Sequence, residues 1–234
     1  AETKADEVID SSCFHADDDD NGKCDKCTGS VLATLDFYAI NDLHGKFVDT
    51  SANEGVDELT TYLKNCTSAD DHSVILSSGD MWQGTSESNL TKGKLITDWM
   101  NEIDVVSMTL GNHEFDFGQQ ALKQCMNQAD FEWICANMVV DPSIAVIKQP
   151  QPYVTLKMGD IKICILGLIE TSKTFQGQPI TSAHPDYLKG ITFTSPVETI
   201  TKYKNSAKQE RQRAASLAGQ LKAEKAKVVT LQRS

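Results

Sequence analysis

Three apolar stretches along the chain end abruptly in polar residues. Residues 33–40 are β-rich and nearly continuous in apolar side chains, and they run into Asn41-Asp42-Leu43-His44-Gly45. Ser73-Val74-Ile75-Leu76-Ser77 runs into Ser78-Gly79-Asp80, and Val105-Val106-Ser107-Met108-Thr109-Leu110 into Gly111-Asn112-His113-Glu114-Phe115-Asp116. Short apolar runs of this kind predict buried strands. Between them the period changes. Val56, Leu59, Tyr62 and Leu63 mark an amphipathic helix over 55–66, and Leu95, Ile96, Trp99, Met100 and Ile103 mark another over 94–103. Trp99 therefore reads as core. Strands spaced by about 30 to 40 residues with helices between them match βαβ crossovers, which set consecutive carboxyl ends side by side.

Further along, residues 119–128 predict a short helix with Ala121, Leu122, Cys125 and Met126 inward, and residues 131–136 a strand. Residues 153–158 and 161–168 predict a hairpin around Gly159-Asp160. Ser195-Pro196-Val197-Glu198 has the form of a helix start, with a Ser cap, Pro in the first turn and Glu three residues on. Ile200, Tyr203, Ala207, Ala214, Leu217 and Leu221 then trace one face to about Ala226, with Lys and Arg on a solvated opposite face. Val228-Val229-Thr230-Leu231 predicts the beginning of another strand.

Each of the three strand ends carries groups that bind metals. Asp42 and His44 are two residues apart, so in extended geometry they point the same way. A carboxylate and an imidazole on one point suit a borderline divalent cation. Asp80 supplies a second carboxylate, and Asn112 and His113 an amide and another ring. In open α/β sheets ligands bind outside the carboxyl ends of the strands, so three such ends together carry more weight than any one.

Composition narrows the function class. The chain has 234 residues, 40% hydrophobic and 24% charged, enough for one sizeable domain. Its net charge of −11 excludes a nucleic-acid polymer as partner, which needs a basic face. A small anionic substrate remains open, because bound cations supply local positive charge. No apolar run reaches the roughly 18 residues of a membrane span. Ala1-Glu2-Thr3-Lys4 lacks the basic end and apolar stretch of a signal peptide. Of seven cysteines, Cys66, Cys125, Cys135 and Cys164 sit in apolar stretches and read as small buried hydrophobes.

The other three crowd a head, residues 1–30, that ends at a compositional shift near Gly29-Ser30. Cys13, His15, Cys24 and Cys27 make a tetrahedral zinc set. Asp17, Asp19 and Asn21 before Gly22 mimic the start of a calcium loop, although Thr28 stands where a bidentate Glu belongs. An acidic leader or a Cys13 disulfide to Cys24 or Cys27 are further alternatives. The head resembles short Cys/His/Asp-rich repeats of secreted proteins from Gram-positive bacteria. It has too little apolar sequence to fold without a metal or a covalent link.

Taken together, Asn41-Asp42-Leu43-His44-Gly45, the run from Ser78-Gly79-Asp80 through Met81-Trp82-Gln83-Gly84-Thr85, and the six residues from Gly111 to Asp116 resemble the calcineurin-like metallophosphoesterases, specifically the secreted 5′-nucleotidase branch. Ile191-Thr192-Phe193 before Ser195 fits as well, and the resemblance runs from about residue 33 to 231. It implies an α/β fold, a layered α-β-β-α sandwich incomplete at its C-terminus, with residues 31–234 as the N-terminal part of the domain. It also implies two-metal hydrolysis of phosphoesters, with a nucleotide as the small anionic substrate and manganese, zinc, cobalt or iron as the metals. Asp42 and His44 would hold the first metal, Asp80 would bridge, and Asn112 would hold the second. His113 would act in catalysis, with Asp116 bonding its ring, fixing its tautomer and supporting its positive charge. Glu114 receives no role.

The family takes further metal ligands from downstream histidines, one of which would fall near Ser234. The only histidine after His113 is His184. The resemblance thus implies a missing C-terminal substrate domain, weak metal binding and little activity for these residues alone. A non-catalytic surface module that keeps the fold is the alternative.

Overall fold

The computed structural model describes residues 35–51, 55–69, 72–158, 161–171 and 183–231. The head residues Cys13, His15, Cys24 and Cys27, expected to bind a metal, and the boundary expected near Gly29 lie outside the described residues.

The first three apolar stretches form β1 (Asp36–Ile40), β2 (Ser73–Ser77) and β3 (Val105–Thr109), and β4 (Glu132–Ile134) follows. All four pair in parallel in the order β1-β2-β3-β4. Consecutive carboxyl ends are therefore neighbours, as the crossover spacing requires. Ile75 and Met108 are fully buried in the middle of the sheet. β1 is an edge strand and is largely solvated, with Phe37 47% exposed.

Helices α1 (Asp57–Ala69), α2 (Ser86–Thr91), α3 (Lys94–Glu102) and α4 (Gly118–Gln128) make the crossovers. α1 packs on β2, and α3 on β3 and α4. The apolar stripe of α3 enters the core through Ile96, Trp99 and Met100, and Trp99 Nε1 donates to Thr60 Oγ1 of α1 at 2.7 Å. On α1 the expected stripe packs through Val56, Leu59 and Leu63 but not Tyr62. Leu63 is buried, whereas Tyr62 is 58% exposed and meets Tyr38 of the edge strand edge-on.

The rest of the described chain forms antiparallel pairs: β5 (Met138–Val140) with β8 (Ile191–Phe193), and β6 (Tyr153–Met158) with β7 (Ile161–Leu166). The second pair realises the hairpin expected from the sequence. Fully buried Asn137 ties this layer together. Its Nδ2 donates to the Ile169 and Thr194 carbonyls at 2.8 and 3.1 Å, and its Oδ1 accepts from Ile169 N at 2.9 Å. Gln119 plays a similar part on α4, donating to the Tyr187 and Lys189 carbonyls and accepting from Val146 N.

Three expectations fail in whole or in part. Residues 228–231 are not a strand but the end of α5 (Pro196–Leu231). The Ala-, Lys-, Gln- and Glu-rich segment before them propagates the helix, and β-branched residues disfavour an established helix by only about 0.7 kcal/mol or less each. Of the apolar face drawn along that helix, Tyr203 is half-buried against Tyr153 of β6, whereas Ile200 and Leu217 are 45% and 65% exposed. Of the four cysteines read as buried, Cys125 and Cys135 are, Cys66 is intermediate, and Cys164 is exposed on the outer side of β7. Among the described residues no helix is long and apolar enough to cross a membrane.

Candidate active site

The site grows from three loops at the carboxyl edge of the parallel sheet. Where β1 and β2 end, their backbones stay laced together: Ser78 N donates to Ile40 O, Asp42 N to Gly79 O, His44 N to Asp80 O and Gly45 N to Met81 O, at 2.8–3.2 Å. Asp42, His44 and Asp80 have φ of 53°, 50° and 56°. Left-handed backbone at three non-glycine residues is costly and persists only where the surroundings enforce it. All three are residues that the sequence marks as metal ligands. Asp42 and His44 are indeed brought together, with His44 Nε2 4.0 Å from Asp42 Oδ1. They meet through these bends and not through extended geometry.

His44 Nδ1 donates to the Gln83 carbonyl at 2.8 Å. That bond fixes the tautomer, so Nε2 carries the lone pair that a metal would need. Asp80 is held from several sides, and its Oδ1 accepts from His113 N at 2.8 Å. The Asn112-His113 peptide therefore sits directly on the Asp80 carboxylate. Asn112, partly exposed, opens the 3₁₀ turn His113–Phe115. His113 Nδ1 donates to Asp116 Oδ2 at 2.6 Å, a pair only 23% and 18% exposed. The His44 and His113 rings meet at 4.9 Å between centroids, inclined by 71°. One small region thus gathers His44, His113, Asp42 and Asp80. His184 is elsewhere: it is exposed and caps a 3₁₀ turn by accepting from Asp186 N.

Sequence reasoning left Glu114 without a role, and it is the most deeply buried charged group of the cluster. It accepts from Asp80 N, Met81 N and Gly111 N at 2.8–2.9 Å. Burial pushes its carboxyl up to about 7, aided by the Asp80 charge and opposed by the three N–H donors. The pattern gave no signal for this, because a carboxylate in a polar loop ordinarily reads as solvated.

The donor set fits divalent cations in its chemistry. Carboxylate, imidazole and amide are the ligands that zinc, manganese and iron accept. The 4.0 Å between Asp42 and His44 is wider than the roughly 3.4 Å that two bonds of about 2.1 Å span at a tetrahedral angle, so the two side chains would have to draw together on a shared ion. Among the described residues, no group of three or more His, Cys, Asp or Glu stands at metal-binding spacing.

Comparison with known proteins bears on this geometry. The family model described as "Calcineurin-like phosphoesterase" matches residues 35–208. Snake venom 5′-nucleotidase of Gloydius brevicauda is 29% identical over 178 residues, covering 70% of this chain and 29% of the relative. Apyrase of Aedes aegypti is 30% identical over 160 residues, covering 60% and 28%. The solved structure of NAD nucleotidase from Haemophilus influenzae superposes with a TM-score of 0.64 at 23% identity, over 75% of this chain and 32% of that one. The last likeness speaks to the fold alone. The chain spans under a third of the length of these curated relatives.

Proposed function

The chain belongs to the calcineurin-like phosphoesterase family, and from that premise we propose that it carries the metal-holding part of a hydrolase that cleaves phosphoesters of nucleotides. The observation that carries this reading is the meeting of three strand ends at Asp80. Its carboxylate takes the His113 N–H, and its loop is laced to the one bearing Asp42 and His44.

In this reading Asp42 and His44 hold the first cation, Asp80 bridges, and Asn112 holds the second. Two divalent cations, when bound, supply Lewis acidity and neutralise charge on the phosphoryl oxygens. His113 contributes through Nε2. Asp116 occupies Nδ1, so Nε2 is the nitrogen that faces the substrate, and in the imidazolium form, which the Asp116 carboxylate supports, it donates to a phosphoryl oxygen and gives its proton to the departing alkoxide. Asp116 holds the ring in that tautomer. Relatives named 5′-nucleotidase and apyrase support nucleotides as the substrate class. A venom protein among them supports action outside the cytoplasm.

The test uses manganese, cobalt or zinc with AMP, p-nitrophenyl phosphate and bis-p-nitrophenyl phosphate. Metal-dependent phosphate release that His113→Ala removes without changing metal content supports the reading. Turnover by that variant equal to wild type overturns it. A second reading, a module that keeps the fold without catalysis, draws on there being no group of three His, Cys, Asp or Glu at metal-binding spacing among the described residues; a wild-type chain that binds no metal would select it. The head is proposed as a separate structural metal site, and loss of one metal per chain in Cys24→Ala is its signature.

A further inference from the structure

We infer that Glu114 is a positioning residue, which sets the end of β2 against the end of β3 and so places Asp80 relative to the Asn112-His113 peptide. This rests on the reading of Asp80 and Asn112 as metal ligands.

The parallel ladder between β2 and β3 ends at the Ser77–Met108 register. Beyond it the two chains continue toward the site as loops, and their backbone N–H groups need other acceptors. Glu114 supplies them. Its Oε2 takes Asp80 N at 2.9 Å and Gly111 N at 2.8 Å, and its Oε1 takes Met81 N at 2.9 Å. Two of these donors belong to the loop after β2 and one to the loop after β3. A single side chain therefore replaces the backbone ladder where the strands part.

A second link crosses the same gap in the opposite sense, from His113 N to Asp80 Oδ1. Together they clamp Asp80 at its backbone and at its side chain. The left-handed φ of 56° at Asp80 is a conformation that needs such enforcement. A fully buried carboxylate is itself costly, and a purely structural contact could be apolar. Three N–H donors on two oxygens also require a carboxylate. Glutamine offers one oxygen and sets an NH₂ group against an N–H, and aspartate is one methylene short.

The experiment compares the 234-residue chain with Glu114→Gln and Glu114→Asp, by amide hydrogen exchange and by calorimetric titration with manganese. In Glu114→Gln the amides of Asp80, Met81 and Gly111 should exchange at least tenfold faster while those of α4 are unchanged. Manganese affinity should fall by about tenfold or more, the scale of losing a group that orients metal ligands, with Glu114→Asp between the two. Should Glu114→Gln fail to fold, Glu114→Asp carries the test, since it keeps both carboxyl oxygens as acceptors. Affinity within twofold of wild type in the folded variants, with the three amides unprotected, makes Glu114 merely structural and overturns the inference. Unchanged exchange overturns it as well. A wild-type chain that binds no manganese overturns the metal reading beneath it, which is a different result from equal binding by all three proteins.

Discussion

Gly111 lies so close to Asp80 that a methyl group in its place would collide with the Asp80 carboxylate and backbone nitrogen. The glycine is thus required by close approach, since only hydrogen fits between the loop after β3 and the carboxylate that the site turns on. Gly111→Ala should force Asp80 away from His113 N, at a cost of about 1–3 kcal/mol typical of overpacking. The stabilisation that manganese confers should shrink too, because a displaced ligand binds less tightly. Thermal unfolding with and without manganese reads both effects. A metal-induced rise in Tm equal to that of wild type would sink this account.

The His113–Asp116 pair makes a kinetic prediction. Asp116 holds Nδ1 at 2.6 Å and lies outside the metal-ligand set, so its loss should spare metal content and act on turnover. Asp116→Ala is expected to lower kcat by about 10²-fold or more, the scale of a displaced general acid, with KM little changed. Asp116→Asn should lose less, because its amide oxygen still accepts from Nδ1. Steady-state kinetics on bis-p-nitrophenyl phosphate with metal analysis checks this. A rise in KM with kcat unchanged would assign Asp116 to binding.

Most of this site could be read along the chain because it is built on strand ends. An apolar strand that stops at Asp80 or Asn112 announces both the sheet and the place where its side chains emerge. Glu114 could not be read that way. Its role depends on backbone N–H groups from a loop more than 30 residues earlier, and backbone donors have no signature in sequence. Asn137 and Gln119 escaped for the same reason, being polar residues whose partners are carbonyls and amides of distant segments. The end of α5 misled in the opposite way. Val228 to Leu231 have strand composition, but local propensity yields to a helix already under way. Cys164 shows that alternation on a hairpin with one solvated face leaves the facing of a small residue undecided.

The buried thiols give the molecule a pH dependence at its alkaline end. Burial pushes Cys125 up to about 11 and Cys135 up to about 12, from an ordinary value of 9. In the unfolded chain both release their protons above pH 9, while the folded chain retains them. The unfolded state then binds fewer protons, so stability falls as pH rises from about 9 toward 11, by about 1.4 kcal/mol per pH unit for each thiol. Urea unfolding across that range should show this slope, and Cys135→Ala should remove its share. At pH 8 a thiol reagent should label exposed Cys164 in the folded chain and reach Cys125 and Cys135 only on unfolding. Early labelling of Cys135 would contradict its burial.

Asn137 should be the most sensitive polar position outside the site. It is fully buried, and its amide serves two carbonyls and one N–H on segments 32 and 57 residues away. Its own backbone carbonyl accepts from Thr194 N at 2.8 Å, so side chain and main chain together join β5 to the entrance of α5. Asn137→Ala strands the buried Ile169 N–H and carbonyl and removes a donor from the part-buried Thr194 carbonyl. Each such group costs about 1–3 kcal/mol, so a total loss of about 3 kcal/mol or more is expected in urea unfolding. Asn137→Asp keeps the acceptor for Ile169 N but turns a carboxylate toward two carbonyl oxygens, and it should do no better. Near-wild-type stability for either variant would mean that this knot does not hold the second layer. Because the knot shares no residue with the loops around Asp80, Asn137→Ala should leave the manganese affinity of the folded fraction unchanged.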